Sequence, residues 1–132
     1  MFLVDTNVVS ELMRQAPAPA VVRWAGELPR MTLSVVTVEE VLYGLASKRN
    51  LRLERWFNAF LKDHSEVLPV TEPIARRSAA LRAQLRAGGR ERTVADGLIA
   101  ATASEHGLIV ATRNVRDFAG AGVRVFDPFS AR

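Results

Sequence analysis

Four acids, Asp5, Glu40, Asp96 and Asp117, carry the chemistry this chain can do, because of the segments they close or open. Phe2-Leu3-Val4 is a short apolar run ending on Asp5, the pattern of a buried parallel strand that delivers a carboxylate to the carboxyl edge of its sheet. Open α/β sheets hold their ligands at that edge. Glu40 falls in the first turn of the helix expected after the second strand, and Asp117 in the polar segment after the fourth. Strand ends and the helix starts that follow them share one edge, so spacing brings Asp5, Glu40 and Asp117 together. Asp96 opens a helix that enters the sheet, and spacing leaves its place open. Carboxylates a few ångströms apart raise each other's pKa and cost stability unless a proton or a cation compensates. With no cysteine in the chain, and with His64 and His106 both late in helices where the carbonyl dipole favours them, the donor set is oxygen only. Such a set suits Mg²⁺ or Mn²⁺ rather than zinc. An ion of that kind lowers the pKa of bound water and polarises a phosphate oxygen, which is the chemistry of phosphodiester hydrolysis. Taken singly, each acid has a blander reading: Asp5 and Asp96 suit the helix dipole, and Glu40 completes a capping box with Thr37.

The elements that must position these acids alternate along the chain. A short helix is expected over residues 8–14, ended by Ala16-Pro17-Ala18-Pro19, and a second over about 19–27. Met31 to Val36 is β-rich and predicts strand two, with Thr37 capping the next helix. Leu53, Trp56, Phe57, Phe60 and Leu61 recur at helical spacing, as a core stripe or as a surface for a second subunit. Glu66 to Val70 predicts a third strand, placed at an edge by Pro69. Thr71 caps a helix reaching Ala87, on which Arg82, Arg86 and Arg90 form a row that reads as a solvated face or a phosphate track. Thr93 caps a further helix, Val94 to Glu105, closed by Gly107. Leu108 to Ala111 and Val123 to Phe126 are strands four and five. The alternation implies an α/β fold: three layers, α/β/α, around a mainly parallel sheet of four to five strands.

At 132 residues, of which 48% are hydrophobic and 24% charged, one domain over residues 1–132 with a real core is expected. No run approaches a membrane span and the start lacks a signal peptide, so the expected location is cytoplasmic. The net charge is +4, and all basic residues but Lys48 and Lys62 are arginines, whose planar fork suits phosphate. With four acids gathered in one pit, the rest of the surface is strongly basic and would attract a polyanion.

In this order and at these separations, four segments resemble the PIN-domain proteins of the VapC toxin type, close to the FitB-like branch. They are Asp5-Thr6-Asn7, Thr37 to Gly44, Val94 to Ala103, and Thr112 to Phe118. The resemblance implies an endoribonuclease using Mg²⁺ or Mn²⁺, with Asp5, Glu40, Asp96 and Asp117 as its acidic quartet, and it sets Asp96 beside the other three. It implies that Thr6 and Thr112 orient carboxylates or metal-bound water, and that Asn7 supports the first turn. Partners implied are an RNA substrate, a cognate antitoxin whose tail enters the acidic groove, and a second copy of the chain. On the expected mechanism, Asp5, Asp96 and Glu40 hold one ion, Asp117 contributes to a second, and Arg113 and Arg116 contact RNA phosphates. The sequence departs from the pattern twice: Asn114 stands where aspartate is common, and Gly97 where alanine is common. The alternative is a non-catalytic module of the same fold that binds RNA or protein; a phosphoacceptor domain is disfavoured because Thr6-Asn7, not a second acid, follows Asp5.

Overall fold

Each strand of the sheet splits its side chains between two cores, and that split sets the layers. In the computed structural model, which describes residues 1–130, β1 (Phe2–Val4) lies at the centre of a five-stranded parallel sheet. It is flanked by β2 (Met31–Ser34) and β4 (Ile109–Ala111), with β3 (Ser65–Leu68) and β5 (Val125–Phe126) at the edges, in the order β3-β2-β1-β4-β5. The last two residues of the expected 1–132 domain lie outside the described range. Because successive strand residues point to opposite faces, Leu3 and Val110 enter one cluster while Val4 and Ala111 enter the other. The first cluster packs against α5 (Glu72–Ala87) and α6 (Val94–His106) through Leu81, Ile99, Ala100 and Ala103. The second is roofed by α1 (Thr6–Leu12), α2 (Pro19–Gly26), α3 (Val35–Ser47) and α4 (Leu51–His64), and contains Val8, Val21, Val41 and Phe57. This is the three-layer α/β/α arrangement expected. β3 is an edge strand followed directly by Pro69, as the proline predicts. No helix among the described residues is long and apolar enough to cross a membrane.

The structure corrects the start of α3. Strand two ends at Ser34 rather than Val36, and Ser34 is the N-cap, its Oγ accepting from the Val36 amide at 3.0 Å. Thr37 is therefore inside the first turn, fully buried, and caps nothing; Glu40 lies in the second turn rather than the first. The β-branched pair Val35-Val36 suggests strand by propensity, but Val36 gains packing against the α5–α6 cluster once the helix begins early. Replacing Ser34 with alanine is expected to lower stability by about 1 kcal/mol in denaturant unfolding, the usual cost of losing a side-chain cap.

The other boundaries move by a residue or a few. Helix α1 starts at Thr6, directly after Asp5, and stops at Leu12; α4 runs on to His64, three residues past Leu61. The aromatic stripe divides: Phe57 is fully buried in the core, whereas Trp56 is 43% exposed and stacks on Phe60 at 5.4 Å between ring centres.

Candidate active site

A buried carboxylate must find donors, and the chain supplies three to Asp5 from two strand ends. Asp5 leaves β1 as the N-cap of α1, only 6% exposed. Its Oδ1 accepts the Thr6 amide at 2.8 Å; its Oδ2 accepts the Thr112 hydroxyl at 2.8 Å and Asn7 Nδ2 at 3.2 Å. Thr112 directly follows β4, the strand paired with β1, so the sheet register itself brings the two side chains together. The same Thr112 oxygen, fully buried, accepts from Asn7 Nδ2 and from the Asn114 amide, at 3.2 and 3.0 Å. Asn7 completes the tie by accepting the Arg113 amide on its Oδ1 at 3.2 Å. Thr6 faces the other way: its hydroxyl donates to Glu40 Oε1 at 2.7 Å and lies 3.1 Å from the Thr37 hydroxyl. The supporting positions Thr6, Asn7, Thr112 and Asn114 thus bind Asp5 and Glu40 into one network spanning β1, α1, α3 and the turn after β4.

Asp96 joins this group by way of α6. Thr93 caps that helix as expected, accepting the Asp96 amide at 3.1 Å. Burial, then Asp117, and further Asp5 and Glu40 push the Asp96 carboxyl above its ordinary range, against the lowering hydrogen bond from Thr93. Asp5 is also raised: burial outweighs the hydrogen bonds from Thr112 and Thr6, and Glu40 and Asp117 add repulsion. The four acids therefore share one electrostatic field, and Asp96, which spacing left open, stands with the others. None of the ion pairs among the described residues involves any of them. Nor do any three Asp, Glu or His side chains there come close enough to clasp a cation together. Any cation they held would therefore complete its coordination with water, as a hard divalent ion can. On donor chemistry and uncompensated charge, the residues fit a hard divalent ion.

Asp117 sits in a 3₁₀ turn (Val115–Phe118) after β4, and Arg92, which sequence reasoning missed, holds that turn. Arg92 donates from Nε to the Asp117 carbonyl at 2.9 Å and from Nη2 to the Arg116 carbonyl at 3.2 Å; its own carbonyl accepts Arg82 Nε at 3.1 Å. Arg82 is thus neither on a solvated face nor on a phosphate track. Its only sequence signal was Gly97. A Cβ there would lie 2.6 Å from both Arg82 Cδ and Ser78 Oγ, so the glycine lets α6 close on the Arg82 stem. Gly97→Ala should destabilise by about 1–2 kcal/mol, overpacking set against the better helix propensity of alanine; thermal melts check it.

Arg113 and Arg116 are exposed beside the pit, and the Arg113 guanidinium lies 4.6 Å over the Phe129 ring. A fifth acid, Glu11, is buried but structural. It accepts the Ala18 amide at 2.8 Å, which, ahead of the Arg14 pair, holds its carboxyl below the usual range and ties α1 to the turn before α2.

Comparison with known proteins agrees with this geometry. Residues 2–122 match the family model described as PIN domain. The chain is 40% identical to the Toxin FitB of Neisseria gonorrhoeae, over 98% of this chain and 99% of that protein. It is 36% identical to the VapC ribonuclease Y4jK of Sinorhizobium fredii, over 98% of each. Among solved structures, FitAcB from Neisseria gonorrhoeae superposes with a TM-score of 0.86 at 39% identity, covering 98% of this chain and 99% of that one. With a buried acid at the end of β1, three more acids in its field and a match over nearly the whole length, the chain belongs to the PIN domain family, among its FitB and VapC members.

Proposed function

We propose that this chain is a metal-dependent endoribonuclease that hydrolyses RNA phosphodiester bonds and acts as the toxin of a toxin–antitoxin pair. One observation carries the reading: four carboxylates share a field, two of them held above their ordinary pKa, and none of the four is in an ion pair among the described residues. Binding alone gives no reason to store that repulsion beside a polyanion; a divalent cation does. Asp5, Asp96 and Glu40 would hold one Mg²⁺ or Mn²⁺, directly or through water, and Asp117 would serve a second. When bound, the ion supplies a more acidic water and Lewis acidity toward a phosphate oxygen. Thr112 and Asn7 fix Asp5 Oδ2, the Thr6 amide fixes Oδ1 while its hydroxyl fixes Glu40, and Asn114 secures Thr112 through its amide. Arg92 anchors the Asp117 turn, and Arg113 and Arg116 take RNA phosphates at the rim.

The names of its relatives support the rest: a toxin and a ribonuclease, each matched end to end. We extend this to a cognate antitoxin partner, a homodimer, a cytoplasmic location and a single PIN domain over residues 1–132. Incubation of the purified chain with total RNA is the direct test. Discrete new 5′ ends are expected with Mg²⁺ or Mn²⁺ and none with EDTA. RNA left intact under both conditions, yet bound, would favour the non-catalytic module instead.

A further inference from the structure

One open groove runs between α1, α3 and α4, with Glu40 of the acidic pit on its wall. Its volume is about 1080 Å³, beyond the usual range for a small-molecule pocket. Lys48, Arg52 and Arg14 line it together with Trp56. Arg14 is engaged by Glu11, but Lys48 and Arg52 are in no ion pair among the described residues. Trp56, 43% exposed, forms a parallel stack with Phe60, which in turn stacks on the buried Phe57, so the exposed indole is backed by core aromatics. At Gly44, also on the lining, an added Cβ would meet nothing within 4 Å, so the wall there is open. Cations that follow a backbone plus an aromatic on which a base stacks are what a single strand of nucleic acid requires, and the pairing tolerates any sequence.

We propose that this groove is a single-stranded RNA subsite: it holds the nucleotides flanking the scissile bond, with Lys48 and Arg52 on phosphates and Trp56 stacked on a base. The inference rests on the nuclease reading and adds a direction to it, since the strand enters the pit past Glu40. Charge disfavours an apolar peptide, and the aromatic face and the adjoining acidic pit favour RNA over an acidic one. The groove offers two uncommitted cations and an aromatic next to a site that needs a phosphodiester.

The test uses the full chain carrying Asp5→Asn, so that binding of a fluorescein-labelled single-stranded oligoribonucleotide in Mg²⁺ is read by anisotropy without turnover. Adding Lys48→Glu and Arg52→Glu should weaken binding at least 10-fold and flatten the slope of log affinity against log salt by about 1.4, two phosphates at about 0.7 each. Trp56→Ala should cost about 5- to 100-fold and Trp56→Phe much less, because a ring restores the stack. Gly44→Leu should weaken binding without lowering the melting temperature, since it projects into the groove from a helix position where an added Cβ meets nothing within 4 Å. Affinity and salt slope unchanged in the charge-reversal variant, with melting curves intact, would overturn the subsite. So would a groove whose variants keep RNA but lose a bound protein partner. Failure of the nuclease reading looks different: the parent chain would not cut RNA at all, whatever the groove does.

Discussion

Asp5→Asn is expected to reduce metal-dependent RNA cleavage by at least about 1,000-fold while the fold survives. The carboxylate that would hold the ion becomes a neutral amide of the same shape, and an ion of this kind accounts for several kcal/mol of transition-state stabilisation, where each 1.36 kcal/mol is tenfold in rate. Stability should move the other way. Because burial raises the Asp5 carboxyl above its ordinary 3.8, the native state holds that proton more tightly than the unfolded chain does. The contribution is therefore present below about pH 3.8 and is lost as pH rises through the raised native value, leaving its cost in full at neutral pH. Asp96, raised in the same direction, adds to the same window. In EDTA at neutral pH the asparagine variant should melt no lower than the parent. Addition of Mg²⁺ should raise the parent's melting temperature and barely move the variant's. Cleavage retained within tenfold in Asp5→Asn would remove this acid from the active site.

How much of this was legible in the chain depends on which force decided each element. The parallel sheet and its order of elements follow from short apolar runs, and three of the four acids from their place at or just after the ends of those runs, a local signal. Asp96 reached the group only by resemblance, because its place is set by how α6 packs across β1, a long-range contact that no spacing encodes. The capping box at Thr37 and Glu40 had the right residues at the right separation. Ser34 was an equally good cap one turn earlier, and packing of Val36 chose between them. Of the arginine row, Arg86 and Arg90 are exposed as a solvated face requires, and Arg82 alone departs from it, for a similar reason. An arginine stem covers apolar surface while its head finds carbonyls, and only Gly97 hinted that Arg82 and α6 approach closely. Arg92, whose bonds run to backbone carbonyls of the Asp117 turn, left no signature at all in a list of side-chain types.

The centre of the network is Thr112, and Thr112→Val is where the largest effect outside the acids is expected. The substitution is close to isosteric, so packing is kept and the hydroxyl alone is removed. Three groups lose their partner at once: Asp5 Oδ2, Asn7 Nδ2 and the Asn114 amide. Asn7 still reaches Asp5 and Asn114 lies near solvent, so the loss is smaller than three buried unsatisfied groups would suggest; about 2–3 kcal/mol of stability is expected. Loss of an outer partner that orients a ligand carboxylate typically lowers metal affinity or activity by about 10- to 100-fold, and here the same hydrogen bond holds the Asp5 pKa down against burial. The acid limb of the cleavage profile should therefore shift to higher pH in the valine variant. Thr112→Ser keeps the hydroxyl and loses one methyl, a cost of about 0.8 kcal/mol of burial, so it should restore the parent pH profile and most of the activity while recovering only part of the melting temperature. If serine behaves like valine in the pH profile, Thr112 acts by filling space and the assignment of its hydroxyl to Asp5 fails.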